Sequence, residues 1–203
     1  MSVRITRRTA AVAGAALAAV VPLTLVAAAP AGADGARRLT AAGPVTRYAT
    51  PDASGTDTNP LPATGAVARV RSVETPSGRT IVTVVVDGFT PDRHFGAHVH
   101  TKTCGATGAA AGPHYQDQVD PVTPSVDPAY ANPENEIWLD LHTDSTGHGE
   151  ASASVPWVFQ KDAAHTFGAN SVIFHRDHTA AGHHGTAGTA GPRLACFTVP
   201  FTG

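Results

Sequence analysis

Apolar and polar residues alternate with a period of two over Val67–Val73 and again over Glu150–Val155, which predicts strands with one buried face. Thr80–Val86 is a run rich in β-branched residues. Thr75-Pro76-Ser77-Gly78 separates it from the first run as a turn, so the two are expected to form a hairpin. Asp87-Gly88 and Thr90-Pro91-Asp92 break the chain, and Phe95–His100 resumes an extended pattern. Further strands are expected over Glu136–Leu141, Ser171–His175 and Leu194–Phe201, with a turn over Thr143–Gly147. Between Cys104 and Glu134 the chain carries Gly, Pro and Asp throughout and no period. That predicts a loop of roughly 30 residues, a length that is commonly functional or tied down. No segment carries a convincing helical period. About seven or eight short strands joined by such turns predict an all-β fold, an antiparallel Greek-key β-barrel or sandwich with long loops.

The N-terminus follows a different pattern. Arg4, Arg7 and Arg8 precede an apolar stretch from Ala10 to Ala29, and Ala31-Gly32-Ala33 forms an A-x-A-like cleavage site. Residues 1–33 are therefore read as a signal peptide and the protein as secreted. Pro22, Pro30 and the alanine-rich composition argue against a membrane anchor. Thr9-Ala10-Ala11 after the arginine pair lacks bulky apolar residues, which favours the general secretory route over the twin-arginine route. Residues 34–44 are small and polar and are expected to be a flexible arm, leaving 45–203 as the folded domain. Leu61-Pro62-Ala63-Thr64-Gly65 has no apolar tail and basic stop after it and is read as a turn.

Composition narrows the choices. The 203 residues are 42% hydrophobic and 15% charged, with 20 Gly and 16 Pro, too apolar for a disordered chain and rich in turns. Without the first 33 residues, 11 basic residues face 16 acidic ones, a net charge of −5. That opposes nucleic-acid binding and attachment to anionic membranes, and no stable membrane insertion is expected after cleavage. Cys104 and Cys196 are an even pair in an oxidising compartment, so a disulfide is the default expectation.

Eleven histidines are the most informative count. His98 and His100 flank Val99 on a predicted strand, so both rings point to one face and can converge on one ion. His114 sits in the rigid turn Gly112-Pro113-His114-Tyr115, His175 ends an apolar strand, and Arg193 lies in Gly191-Pro192-Arg193-Leu194-Ala195-Cys196. An all-imidazole set with open geometry suits Cu(II). His178, His183 and His184 lie in a loop nearby and are candidates for supporting groups, a weak extra metal site or simply solvated side chains. His94, His148 and His165 are expected at the surface, and Trp138 and Trp157 in the core.

These motifs together resemble the copper/zinc superoxide dismutase family. Gly96-Ala97-His98-Val99-His100 is similar to its first copper motif, and Cys104 follows as the loop cysteine does. Gly112-Pro113-His114 resembles the turn carrying the ring that bridges two metals, and His175 the fourth copper ligand. Gly188–Cys196 resembles the C-terminal signature with its guiding arginine and second disulfide cysteine. The resemblance runs from about Val67 to Val199. It implies copper held by His98, His100, His114 and His175, with Arg193 and His114 acting in catalysis. The implied substrate is superoxide: two superoxide ions and two protons give dioxygen and hydrogen peroxide.

The chain also departs from the family. No histidine lies between His114 and His142, where the family draws its zinc ligands, and carboxylates alone make a poor tetrahedral zinc site. A copper-only member is expected, with Glu136 the candidate carboxylate that orients the His114 ring. The segment between His175 and Arg193 is short and has no lysine. The alternatives are a non-catalytic copper-binding domain on the same fold, if His114 lacks an orienting partner, and an unrelated protein with structural zinc. The sequence assigns no oligomeric state.

Overall fold

The computed structural model describes residues 25–29, 35–48 and 60–202. Eleven strands occur among them: β1 (Leu25–Ala29), β2 (Arg37–Pro44), β3 (Thr46–Arg47), β4 (Val67–Glu74), β5 (Thr80–Asp87), β6 (His94–Phe95), β7 (Ala97–His100), β8 (Leu141–His142), β9 (Gly149–Val155), β10 (Ser171–His175) and β11 (Arg193–Thr198). They form an antiparallel five-stranded sheet in the order β1-β2-β4-β5-β9, a four-stranded sheet in the order β3-β11-β10-β7 and a small β6-β8 ribbon. The chain crosses from β5 to the second sheet and returns to place β9 beside β5, a Greek-key path. Among the described residues no helix is long and apolar enough to cross a membrane.

The core lies between the two larger sheets. Alternation on β5 sends Val82, Val84 and Val86 inward, to pack in one cluster with Val99, Val172, Phe174, Leu194 and Phe197 of the facing sheet. β7 and β10 are buried on both faces. Their Ala97, Val99, Val172 and Phe174 belong to this core, and their remaining residues face a second layer made by loops.

Three expectations are corrected. The flexible arm of 34–44 is instead mostly strand β2, paired along its whole length with β4, with Leu39 and Ala41 in the core. Its composition carries little strand signal, and pairing with β1 on one side and β4 on the other plus burial of two residues overrides that. The expected strand Glu136–Leu141 is an irregular extended segment. It touches β7 through the bridge between His98 and Trp138 and through the Leu139 N–H to the Ala97 carbonyl, 2.7 Å, while the Ala97 N–H turns instead to the Asp140 carboxylate at 3.1 Å. A side-chain acceptor in place of a backbone one interrupts the ladder. The last strand stops at Thr198 rather than Phe201, ahead of Pro200, which has no N–H to give. The expected signal peptide lies outside the described residues except for Leu25–Ala29, whose backbone pairs with Arg38–Ala42.

Cys104 and Cys196 form a disulfide across a sequence separation of 92. Cys196 is on β11 and packs with Ile173, Ala111 and Tyr48, so the bond ties the start of the long loop onto the loop-covered face of the second sheet.

Candidate metal centre

The register of β7 against β10 pairs His100 with Ser171 and His98 with Ile173. Because Ala97, Val99, Val172 and Phe174 point into the core, His98, His100 and His175 alternate onto the opposite face, and all three are buried there. His114 comes from the covering loop. The Gly112-Pro113 turn delivers it to a bridge with His100, and the next N–H, of Tyr115, binds the Val99 carbonyl at 2.8 Å. One ligand-type atom from each of His98, His100, His114 and His175 lies within 4.8 Å of the others, and no other His, Cys, Asp or Glu group among the described residues is gathered so closely.

The outward nitrogen of every ring is engaged. His100 Nδ1 donates to the Gly112 carbonyl at 3.0 Å and His175 Nδ1 to the Gly191 carbonyl at 3.1 Å. His98 Nε2 donates to Thr179 Oγ1 at 2.7 Å, whose own hydroxyl donates to Asp140 Oδ1 at 2.6 Å. His114 Nδ1 donates to Glu136 Oε2 at 2.8 Å. Each bond fixes the proton on the outer nitrogen and leaves a lone pair on the inner one. Gly112 and Gly191 hold these carbonyls at φ 73° and 71°. A Cβ there would sit 2.6 Å from Thr101 Oγ1 and 2.2 Å from the carboxylate of the exposed Asp177, which can move aside, so at Gly191 it is the positive φ that requires glycine.

The inner nitrogens His98 Nδ1, His100 Nε2 and His175 Nε2 are buried with no hydrogen-bond partner. Leaving such a group unsatisfied costs about 1–3 kcal/mol, and three at one point make an apt seat for a cation with a preference for imidazole. Burial, reinforced by the neighbouring rings and the Arg193 guanidinium, holds the His98 and His100 imidazoles well below their ordinary range. Burial lowers His175 to about 3. All three are neutral, as metal ligands must be.

Glu136 is 1% exposed and is the hub of the outer layer. Its Oε2 accepts His114 Nδ1 and also Trp138 Nε1 at 2.7 Å, and its Oε1 accepts Gln116 Nε2 at 2.8 Å. Trp138, expected in the core, is only partly buried and serves here, whereas Trp157 is buried. Arg193 pairs with His175 across β10 and β11, and its Nη1 donates to the Gly108 carbonyl at 2.8 Å. Burial lowers the Arg193 pKa from its ordinary value, which leaves the guanidinium charged.

His114, His175, Glu136 and Arg193 line the floor of a cleft of about 870 Å³. Its walls include the exposed apolar side chains of Val119, Val122 and Phe167. Lys102 lies on the same wall, its Nζ 4.2 Å from the Phe167 ring centre, so Arg193 is not the only cation beside the site. His178, His183 and His184 are exposed and line no part of this cleft. His94 and His148 are exposed as expected, but His165 is not a surface ring. Its side chain is 7% exposed and stacks on Tyr115 with centroids 5.3 Å apart. Thr179, Asp140 and Gln116 were not legible as site residues, because they reach the rings only through tertiary contacts and carry no local motif.

Residues 64–199 match the family model described as copper/zinc superoxide dismutase (SODC). The chain belongs to that family. The superoxide dismutase-like domain thus includes all four histidines, Arg193 and both cysteines, and its all-β antiparallel architecture is the one expected of the family. No curated protein matches the chain. A solved structure titled "Crystal Structure Analysis of the clock protein EA4" is similar at 17% identity and TM-score 0.48, over 71% of this chain and 96% of that one.

Proposed function

We propose that this superoxide dismutase family member is an exported, copper-dependent superoxide dismutase that works with copper alone, His98, His100, His114 and His175 holding the ion. The observation that carries the reading is the set of three buried, partnerless imidazole nitrogens facing one point, each on a ring whose other nitrogen is already bonded. A copper ion bound there supplies the one-electron couple that oxidises one superoxide to dioxygen and reduces another toward hydrogen peroxide.

The chain's own groups do the rest. Glu136 keeps the His114 Nδ1 proton in place, so His114 Nε2 is the atom that would help hold a copper ion, the ion supplying the redox couple. Arg193, fixed by Gly108, offers a localised positive charge to the incoming anion, and Lys102 adds a second at the cleft wall.

Copper without zinc is supported by Glu136, whose carboxylate takes the far nitrogen of the ring that would otherwise be shared between two metals. The same contact weighs against a copper-binding domain that cannot cycle, since that alternative requires His114 to lack a partner. Export is supported by the Cys104–Cys196 disulfide and the signal-like N-terminus. The test is metal analysis of protein purified from its own host, followed by pulse radiolysis of the metal-free, copper-loaded and copper-plus-zinc-loaded protein. Copper alone should give full activity and a tetragonal nitrogen-ligated spin-resonance spectrum. A stoichiometric zinc requirement, or copper binding without dismutation, refutes the reading.

A further inference from the structure

Three histidines outside the buried centre, His94, His142 and His178, are exposed and gather on one patch beside Asp140. His94 and His142 are directly opposite each other in the β6–β8 ribbon, with ring centroids 4.5 Å apart. Cross-strand partners point to the same face, so the backbone itself sets this pair. His178 stands 6.2 Å from His94 and arrives from the loop after β10.

His178 carries the same kind of support as the buried rings. Its Nδ1 lies 3.1 Å from Asp140 Oδ2 and 3.1 Å from the Thr179 carbonyl, which holds the proton there and leaves the lone pair on Nε2. Asp140 is itself fixed, accepting the Ala97 N–H at 3.1 Å, the Thr179 N–H at 2.8 Å and the Thr179 hydroxyl at 2.6 Å. A carboxylate behind an imidazole is the usual outer support of a metal-ligating histidine. One carboxylate thus backs two rings: His98 of the buried centre through Thr179, and His178 at the surface directly.

We propose that His94, His142 and His178 form a surface site for one divalent late first-row transition-metal ion (copper, nickel or zinc), with Asp140 orienting the third ring. Imidazole donors select this class over magnesium or calcium, which need oxygen ligands. Among the described residues only the buried four already bring their ligand atoms within 4.8 Å, so the surface set closes by rotation of the His94 and His142 side chains toward the held His178 ring on binding. Exposed rings hop between staggered rotamers at little cost. The site stands independently of the redox function proposed above.

The test uses the copper-loaded full chain titrated with Ni(II), an ion that binds nitrogen sites more weakly than Cu(II) and so leaves the buried centre intact. Calorimetry should show one saturable equivalent, and paramagnetic broadening should remove the His94, His142 and His178 ring resonances. His142→Ala and His178→Ala should each weaken binding by at least about tenfold. His184→Ala, which alters an exposed ring near Asp127 rather than Asp140, should bind as the parent does. An unchanged copper spin-resonance spectrum confirms that each variant is folded. No saturable nickel binding, parental affinity in His142→Ala and His178→Ala, or an equal loss in His184→Ala overturns the proposal.

Discussion

Replacing Glu136 by glutamine tests the centre at its most loaded point. The side chain is 1% exposed and accepts three N–H groups, from His114, Trp138 and Gln116, at 2.7–2.8 Å. A carboxylate has acceptors on both oxygens, but an amide has one oxygen and one NH2, so either the His114–Trp138 side or the Gln116 side must face a donor. Facing Gln116 with the NH2 group loses one charge-assisted bond, and facing His114 and Trp138 with it loses two. At about 1.5–3 kcal/mol for the one bond lost in the cheaper orientation, and with some return from no longer burying a charge, a net loss of roughly 1–3 kcal/mol is expected in the metal-free protein. Where the amide NH2 faces His114, the ring proton moves to Nε2 and blocks the ligand atom. Loss of such an outer partner typically costs about 10–100-fold in metal affinity or activity. Chelator competition should therefore show Glu136→Gln binding copper at least about tenfold more weakly, and pulse radiolysis at saturating copper should show a slower rate with an altered pH profile. Urea unfolding of the metal-free variant measures the stability loss separately. Parental affinity, rate and pH profile together in Glu136→Gln would falsify the orienting role.

Arg193→Gln should lower the dismutation rate by about tenfold or more while copper content stays stoichiometric, because the residue contributes charge to the approach and no ligand. Equal loss of copper would mean the residue had been misassigned. Replacing Cys104 and Cys196 together by serine should cost about 4–5 kcal/mol in urea unfolding, the chain-entropy value for a loop closed across 92 positions. A change below about 1 kcal/mol would mean that the unfolded chain is not what the bond restrains. In the metal-free protein, His175 takes its proton at about 3 in the native state and near 6.5 when unfolded. The unfolded chain then binds more protons between those values, so stability is complete above pH 6.5 and falls as pH drops toward 3, by at most about 4–5 kcal/mol for this ring. His98 and His100 act in the same direction, and a flat pH–stability curve in this window would contradict their neutral burial.

The sequence made the central strands readable because their residues alternate sharply, as in Val67–Glu74 and Thr80–Asp87, and burial follows that alternation. The four ring positions were readable because His98 and His100 share a strand face and the other two stand in distinctive turns or strand ends. Strand β2 was not, since only Leu39 and Ala41 among its small or polar residues enter the core and its partner strand lies far along the chain. The Asp140–Thr179–His98 chain was equally hidden, because residues 140 and 179 meet only after the second sheet has formed. His165 looks like any loop histidine until the fold lays it on Tyr115.

Two of the four rings take their alignment from peptide carbonyls, at Gly112 and Gly191, rather than from side chains. An acceptor of that kind survives any replacement that leaves the main-chain path alone. Val119, Val122 and Phe167 on the cleft wall make neither of these hydrogen bonds, so a change in their side chains leaves the acceptors of His100 and His175 where they are.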